Sequence, residues 1–340
     1  MTELVQDRFA EKSTEHLRKL SASSEAIRKM YEFDPEHENL PANREADLFL
    51  EKKLTRTKGV IYKYPGRVLV LLSYTCAAHC RYCERQDRVG VGLDEEGRLT
   101  PEEIDAAVDF VAQRPEITEV IFSGGDPLTH PRGLESAAER MAALEHVKVL
   151  RIHTRFPLQL PEKVDHGLME RLAQLPVTFY LSLHVDHPDE LTPETESLIE
   201  RFRRQGYVLL CQSVFLQGVN DEVDVLAKLF TRLSQLGVRP YYIYHCHPIA
   251  TTMRFVAPLE REIEIMSRLR ERLSGIACPQ HIFEMRQTTG KLVVPSDHWD
   301  VSLEHVTDFV GQSHDVHRSA MELEPPTTAS DRDLPVLDLS

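Results

Sequence analysis

Six βα units wound into a partial barrel are the fold that this sequence predicts, and three observations carry the expectation. Short runs rich in β-branched and aromatic residues recur at residues 68–73, 119–123, 148–153, 177–183, 207–215 and 239–244. Between them lie amphipathic segments with helix start and stop signals. A closed eight-unit barrel takes about 250 residues, and only roughly 210 are available before the C-terminal segment. Alternation of this kind places parallel strands inside and helices outside, with chemistry at the C-terminal ends of the strands.

Residues 1–58 precede the first unit. Phe9, Leu17 and Leu20, then Ile27, Met30 and Tyr31, form an interrupted helical stripe. They predict an N-terminal helical extension that packs against the main domain. Residues 59–275 are the barrel. Thr100-Pro101-Glu102-Glu103 supplies an N-cap, a proline at the first helical position and a capping-box glutamate. Ile104, Val108 and Val111 then mark the buried face. Thr192-Pro193 opens another helix, which Gly206 ends. Residues 222–236 make a third, with Val225, Leu229 and Leu233 on one face and Gly237 behind it. A long helix near 259–273 leads into 276–321, where the stretch 278–294 is expected to return to the barrel. Residues 322–340 are rich in Pro, Thr, Asp and Ser and read as a flexible tail.

The charge balance is acidic, with 40 Lys+Arg against 54 Asp+Glu and a net charge of -14 over 340 residues. A field of that sign argues against nucleic acid as the main partner and leaves room for a local basic pocket. No apolar run approaches the ~20 residues of a membrane span. Residues 1–12 carry both charge signs and lack an apolar signal core, so a cytoplasmic protein is expected. Three of the six cysteines crowd together while Cys211, Cys246 and Cys278 are scattered, a pattern unlike a secreted disulfide framework.

The crowded three are Cys76, Cys80 and Cys83, spaced CxxxCxxC directly after the first run. Thiolates so spaced can wrap one corner of an iron–sulfur cube and leave a fourth iron open. Zinc is the competing reading. Closed zinc sites use four ligands, no second CxxC is present, and His79 lies awkwardly inside the loop.

On this motif the sequence resembles the radical S-adenosylmethionine (SAM) superfamily. The resemblance implies that Cys76, Cys80 and Cys83 hold a [4Fe–4S] cluster whose open iron chelates SAM. Gly124, Gly125 and Asp126 resemble the family's glycine-rich turn near the SAM amino group, where glycine lets backbone approach a ligand closely. The wider chain, from about residue 62 to 294, resembles the lysine 2,3-aminomutase family, which also uses pyridoxal 5'-phosphate (PLP). The segments that carry this include FSGGDPL, LRIHTRFPLQLP, LSLHVDHPDELT, CQSVFLQGVND, RPYYIYHCHP and TTGKLVVP, in that order. The fold implied is a partial (β/α)6 TIM-like radical SAM barrel with a C-terminal segment bearing the PLP lysine.

The same resemblance assigns roles residue by residue. Lys291 anchors PLP, although its Thr288-Thr289-Gly290 approach has fewer glycines than the family's usual run. Lys63 and Arg67 meet the PLP phosphate, Arg85 meets the substrate α-carboxylate, and His184, Gln212 and Arg155 contact SAM. Read from the residues alone, Lys63, Arg67 and Arg85 are equally ordinary surface cations, and His184 a packed histidine. His247 and Glu284 stand where the lysine enzymes carry two aspartates for the distant ammonium. Glu284 could face a cationic or amide group; His247, with Arg286, could instead meet an acidic one.

The activity implied is transfer of the α-amino group of an L-α-amino acid to its β-carbon. The partners are a small amino acid, whose identity this altered pocket leaves open, and a reducing system for the cluster, with neither nucleic acid nor membrane. The family often dimerises through N-terminal helices, which the extension would permit. No cysteine follows Cys278, and this shorter build resembles the branch that isomerises a lysine on a translation elongation factor. A radical SAM enzyme or binding relative without PLP is the remaining reading, and it predicts that Lys291→Ala changes nothing.

Overall fold

A computed structural model describes residues 9–38, 51–90, 97–284, 290–295, 304–307 and 313–315. Ten strands form one sheet in strict chain order. They are β1 (Thr55–Thr57), β2 (Val60–Tyr64), β3 (Arg67–Ser73), β4 (Glu119–Gly124), β5 (Val149–Thr154), β6 (Thr178–His184), β7 (Val208–Val214), β8 (Arg239–Tyr244), β9 (Gln280–Glu284) and β10 (Lys291–Val293). From β3 to β9 every neighbouring pair is parallel, whereas β1, β2 and β10 pair antiparallel at the two edges. All six expected strands are present within a residue or two.

Strand β9 is an addition to the six. The 278–294 stretch does return to the barrel, pairing Tyr242 with Gln280 and Tyr244 with Ile282. The sheet then curls far enough for its two ends to meet. Lys63 on β2 lies 3.4 Å from Glu284 on β9, an ion pair across the open seam of the barrel.

Alternation along the strands separates two environments. Val68, Val70, Val120, Phe122, Leu150, Ile152, Leu181 and Leu209 point outward into the main core, where the helices cover them. The intervening residues point inward, and on β5 to β7 several are polar: Arg151, His153, Ser182, His184 and Gln212 all line the central cavity. The interior is therefore a site and not a packed core.

The expected helices form for the expected reasons. Helix Pro101–Ala112 is capped by Thr100, with Glu103 returning the bond to the Thr100 N–H. In helix Val223–Gln235 the buried residues are Val223, Leu226, Leu229, Phe230 and Leu233; Val225 lies off that stripe and is only partly buried. Thr100→Ala is expected to cost about 1 kcal/mol in chemical denaturation. Partial burial pulls the Glu103 carboxyl up, but Lys58 and the Thr100 N–H outweigh burial and hold it below 4.5. A depressed folded-state pKa stabilises above the unfolded value and is lost as pH falls through it. The stability gap between wild type and Glu103→Gln is thus expected to shrink as unfolding is followed from pH 7 towards pH 4.

The extension contributes helices Glu15–Ser21 and Glu25–Tyr31, capped by Thr14 and Ser24. Leu17, Ile27, Met30 and Tyr31 pack against Ala78, Tyr82, Leu216 and Phe255, at the mouth where the strands end. β11 (His305–Thr307) pairs antiparallel with β12 (Ser313–Asp315). No helix among the described residues is long and apolar enough to cross a membrane. The tail expected at 322–340 lies outside the described residues, as do Arg286 and residues 288–289.

Candidate active site

A cavity of about 410 Å³ opens at the C-terminal ends of the strands and gathers most of the expected site residues. Cys76, Cys80 and Cys83 line it from the loop after β3, and all three are free thiols. The extension braces this loop. Lys12 Nζ donates to Cys76 O at 2.7 Å, Arg81 N donates to Met30 O at 2.8 Å, and the fully buried Arg81 side chain pairs with Glu38. His79, the candidate fourth zinc ligand, is committed elsewhere: its ring stacks on Phe9 at 4.6 Å and Nδ1 bonds Ala10 O at 2.8 Å.

Burial and the neighbouring thiols push Cys83 up to about 12 and Cys76 well above its usual value. Three converging thiols that cannot ionise together without a cation fit an iron cluster, whose own charge would compensate them. Among the described residues, no three His, Cys, Asp or Glu side chains are placed to hold a single metal ion. A cube spreads its ligand sulfurs more widely than one ion does.

The turn after β4 lines the cavity and also packs closely on the chain itself. Gly124 has φ +130°, and a Cβ there would sit 2.0 Å from Ser73 O; at Gly125 it would sit 2.5 Å from Thr75 O. Their tight neighbour is the chain itself, because Gly125 N donates to Ser73 O and Asp126 N to Thr75 O on the way into the cysteine loop. Asp126 is likewise spent internally. Its carboxylate accepts from Leu128 N at 3.0 Å, Thr154 Oγ1 at 2.9 Å, Arg155 N at 2.8 Å and Phe156 N at 2.9 Å. These bonds clamp the β4 and β5 loops together, although burial still pushes the carboxyl up to about 6.

Arg155 lines the cavity too, and its side chain is also held by the protein itself. Its buried guanidinium pairs with Asp186 and Glu190 and donates to the Tyr31 hydroxyl at 2.6 Å. Arg155→Met would leave two buried carboxylates without their cation. It is expected to destabilise the fold by roughly 3–5 kcal/mol in urea unfolding.

His184 and Gln212 are register partners at the ends of β6 and β7, and both face the cavity. Gln212 Oε1 is buried without a partner, as are His153 Nε2 and Ser182 Oγ, themselves register partners on β5 and β6. Orphaned polar atoms on the wall of a cavity fit a polar ligand. His153 and Ser182 escaped the sequence reading. The signal was there, in polar residues at every second position of otherwise apolar strands.

On the other side of the cavity Lys291, at the start of β10, donates Nζ to the Tyr244 hydroxyl at 2.7 Å and lies 3.8 Å from Glu284. Lys63 is nearly buried, beside Glu284, and so is no surface cation. Arg67, the first residue of β3, is exposed and stacks 4.0 Å over Tyr64. Arg85 already grips a carboxylate, Glu51, at 2.8 Å. His247 Nδ1 lies 2.6 Å from Glu84. Glu51 and Tyr244 are further wall residues that motif reading missed, since only folding brings them to the site.

A parallel barrel with a three-cysteine loop after its first parallel strand and a Gly-Gly-Asp turn after its second defines the radical SAM class. Residues 70–230 match the Radical SAM superfamily, whose members use a [4Fe–4S] cluster and SAM. A radical SAM methyltransferase from Sphaerobacter thermophilus aligns at 19% identity and a TM-score of 0.47, over 66% of this chain and 68% of that one. Within the class the chain belongs to the lysine 2,3-aminomutase family. It is 33% identical to the L-lysine 2,3-aminomutase of Escherichia coli strain K12 over 68% of this chain and 67% of that protein. It is 34% identical to a putative L-lysine 2,3-aminomutase of Aquifex aeolicus, with 69% of this chain aligned but only 63% of that relative's length spanned.

Proposed function

We propose that this chain is a radical SAM, PLP-dependent 2,3-aminomutase acting on an L-α-amino acid. The observation that carries the reading is Lys291, whose amine opens into the same cavity as the three cysteines and is oriented by Tyr244. When bound, the cluster with SAM supplies a hydrogen-abstracting radical, and PLP supplies a site on which the amino nitrogen can migrate. The chain's part is to hold and orient. Cys76, Cys80 and Cys83 would hold the cluster, His184 and Gln212 would meet SAM, and Lys63 and Arg67 would meet the phosphate. Arg85 would take the α-carboxylate, exchanging Glu51 for the substrate. Burial pushes the Tyr244 phenol well above its usual range, so it stays protonated and orients Lys291 without acting as a base.

The charge pattern of the wall also bears on the side chain that it admits. Glu284 lies between Lys63 and Lys291, and Glu84 is matched by His247. Each carboxylate already faces a basic side chain of the chain itself. This supports a substrate whose side chain is not a bare ammonium, since such a group would have to displace an existing pair.

The test is an anaerobic screen of the common amino acids with SAM and a strong reductant, read by mass spectrometry for 5'-deoxyadenosine and β-amino product. One amino acid other than lysine is expected to give both. If deoxyadenosine forms but no β-isomer does, the aminomutase reading fails. Turnover of free lysine above all others would overturn the side-chain reading alone.

A further inference from the structure

Asp186 is fully buried in the loop that follows β6. Its carboxylate joins four segments that no sequence motif links. Oδ2 accepts from the Tyr82 hydroxyl at 2.5 Å, and Tyr82 sits between Cys80 and Cys83 in the cysteine loop. The same oxygen accepts from Arg155 Nη1 at 2.5 Å, after β5. It lies 3.0 Å from His184 Nε2, at the end of β6, though off the angle of a straight hydrogen bond. Oδ1 accepts from Val214 N at 2.8 Å, at the end of β7. The backbone is held as well, since Asn220 Nδ2 donates to Asp186 O at 2.9 Å and Asp186 N donates to Glu190 Oε2 at 2.7 Å.

Burying a carboxylate is costly, and an apolar side chain could fill the same space. A carboxylate does what an apolar group cannot, because it accepts several donors at set distances and so fixes them relative to one another. Three of the side chains that it gathers line the cavity: His184, Arg155, and Tyr82 from the segment that bears two of the cysteines.

We propose that Asp186 is a positioning residue of the SAM side of the site. It sets His184 against the Cys80–Cys83 segment, so that both meet one ligand in fixed geometry. The inference rests on the radical SAM half of the proposed function and is independent of PLP and of the amino acid.

The test uses the full chain, reconstituted anaerobically, with Asp186→Asn, His184→Gln and the double variant. Asparagine keeps the shape but turns a donor towards donors. Iron and sulfide per chain are expected to match wild type. Affinity for SAM is expected to fall about ten-fold or more, and the change that SAM induces in the electron paramagnetic resonance spectrum of the reduced cluster to weaken. The double variant should be no worse than the poorer single one, because residues acting as one unit are not additive. Wild-type affinity and spectrum in Asp186→Asn would overturn the proposal, and so would fully additive losses. Should Asp186→Asn lose its iron or fail to fold, Tyr82→Phe decides, since it deletes one hydroxyl and leaves the ring in place. Full iron with several-fold weaker SAM binding supports the proposal, and unchanged binding overturns it. If wild type itself does not bind SAM, it is the radical SAM reading that fails.

Discussion

Lys291→Ala protein is expected to lose β-amino product by at least about 10³-fold while keeping its iron and its fold. The loss of function follows from the amine's place in the cavity beside Tyr244 and Glu284. The retained fold follows from what remains. Glu284 still has Lys63 at 3.4 Å, and β10 holds to β9 through backbone pairing that the side chain does not enter. Two measurements separate these outcomes. Borohydride reduction should fix PLP to wild type and not to the variant, and thermal unfolding should move little between the two. A variant that still carries reducible PLP would move the anchor to another lysine. Unchanged turnover would favour an enzyme that does not use PLP.

Cys80→Ala is expected to abolish bound iron, and with it every trace of 5'-deoxyadenosine; Cys76→Ala and Cys83→Ala should do the same. The loop should still form without the sulfur. It is held by His79 against Phe9 and Ala10, by the buried Arg81–Glu38 pair, and by Gly125 and Asp126 bonded to Ser73 and Thr75. Cys80 Sγ accepts from Gln159 Nε2 at 3.5 Å, a weak bond to sulfur. Iron analysis and far-ultraviolet circular dichroism together distinguish loss of the cluster from loss of the fold. A Cys80→Ala protein that retained a full complement of iron would remove that cysteine from the ligand set.

Much of the architecture was legible because it is local. Strands of alternating burial, the Thr100–Glu103 box and the CxxxCxxC loop each act over a few residues, and each stands where its pattern placed it. Strand β9 was less legible, because it is five residues long and carries polar residues at both ends; its place comes from pairing with β8. The same holds within the site. Lys63, His184, Gln212, Glu284 and Lys291 could be placed at strand ends, but nothing local pairs Lys63 with Glu284, 221 residues away. Folding also gives two of the expected site residues a structural part. Asp126 and Arg155, expected at a ligand, line the cavity and are also bound into the protein's own bracing, because burial obliges each charge to find partners close at hand.

By itself, the sequence determined the succession of βα units and the three-thiol loop, since both depend on spacing along the chain. Only the tertiary structure decided which charges face the cavity and which are consumed in holding it. The curl of the sheet brings β2 to β9, the extension over the cysteine loop, and four strand ends to Asp186. Pairing between charges depends on distance through space and on exclusion of water, and both are set when the barrel closes.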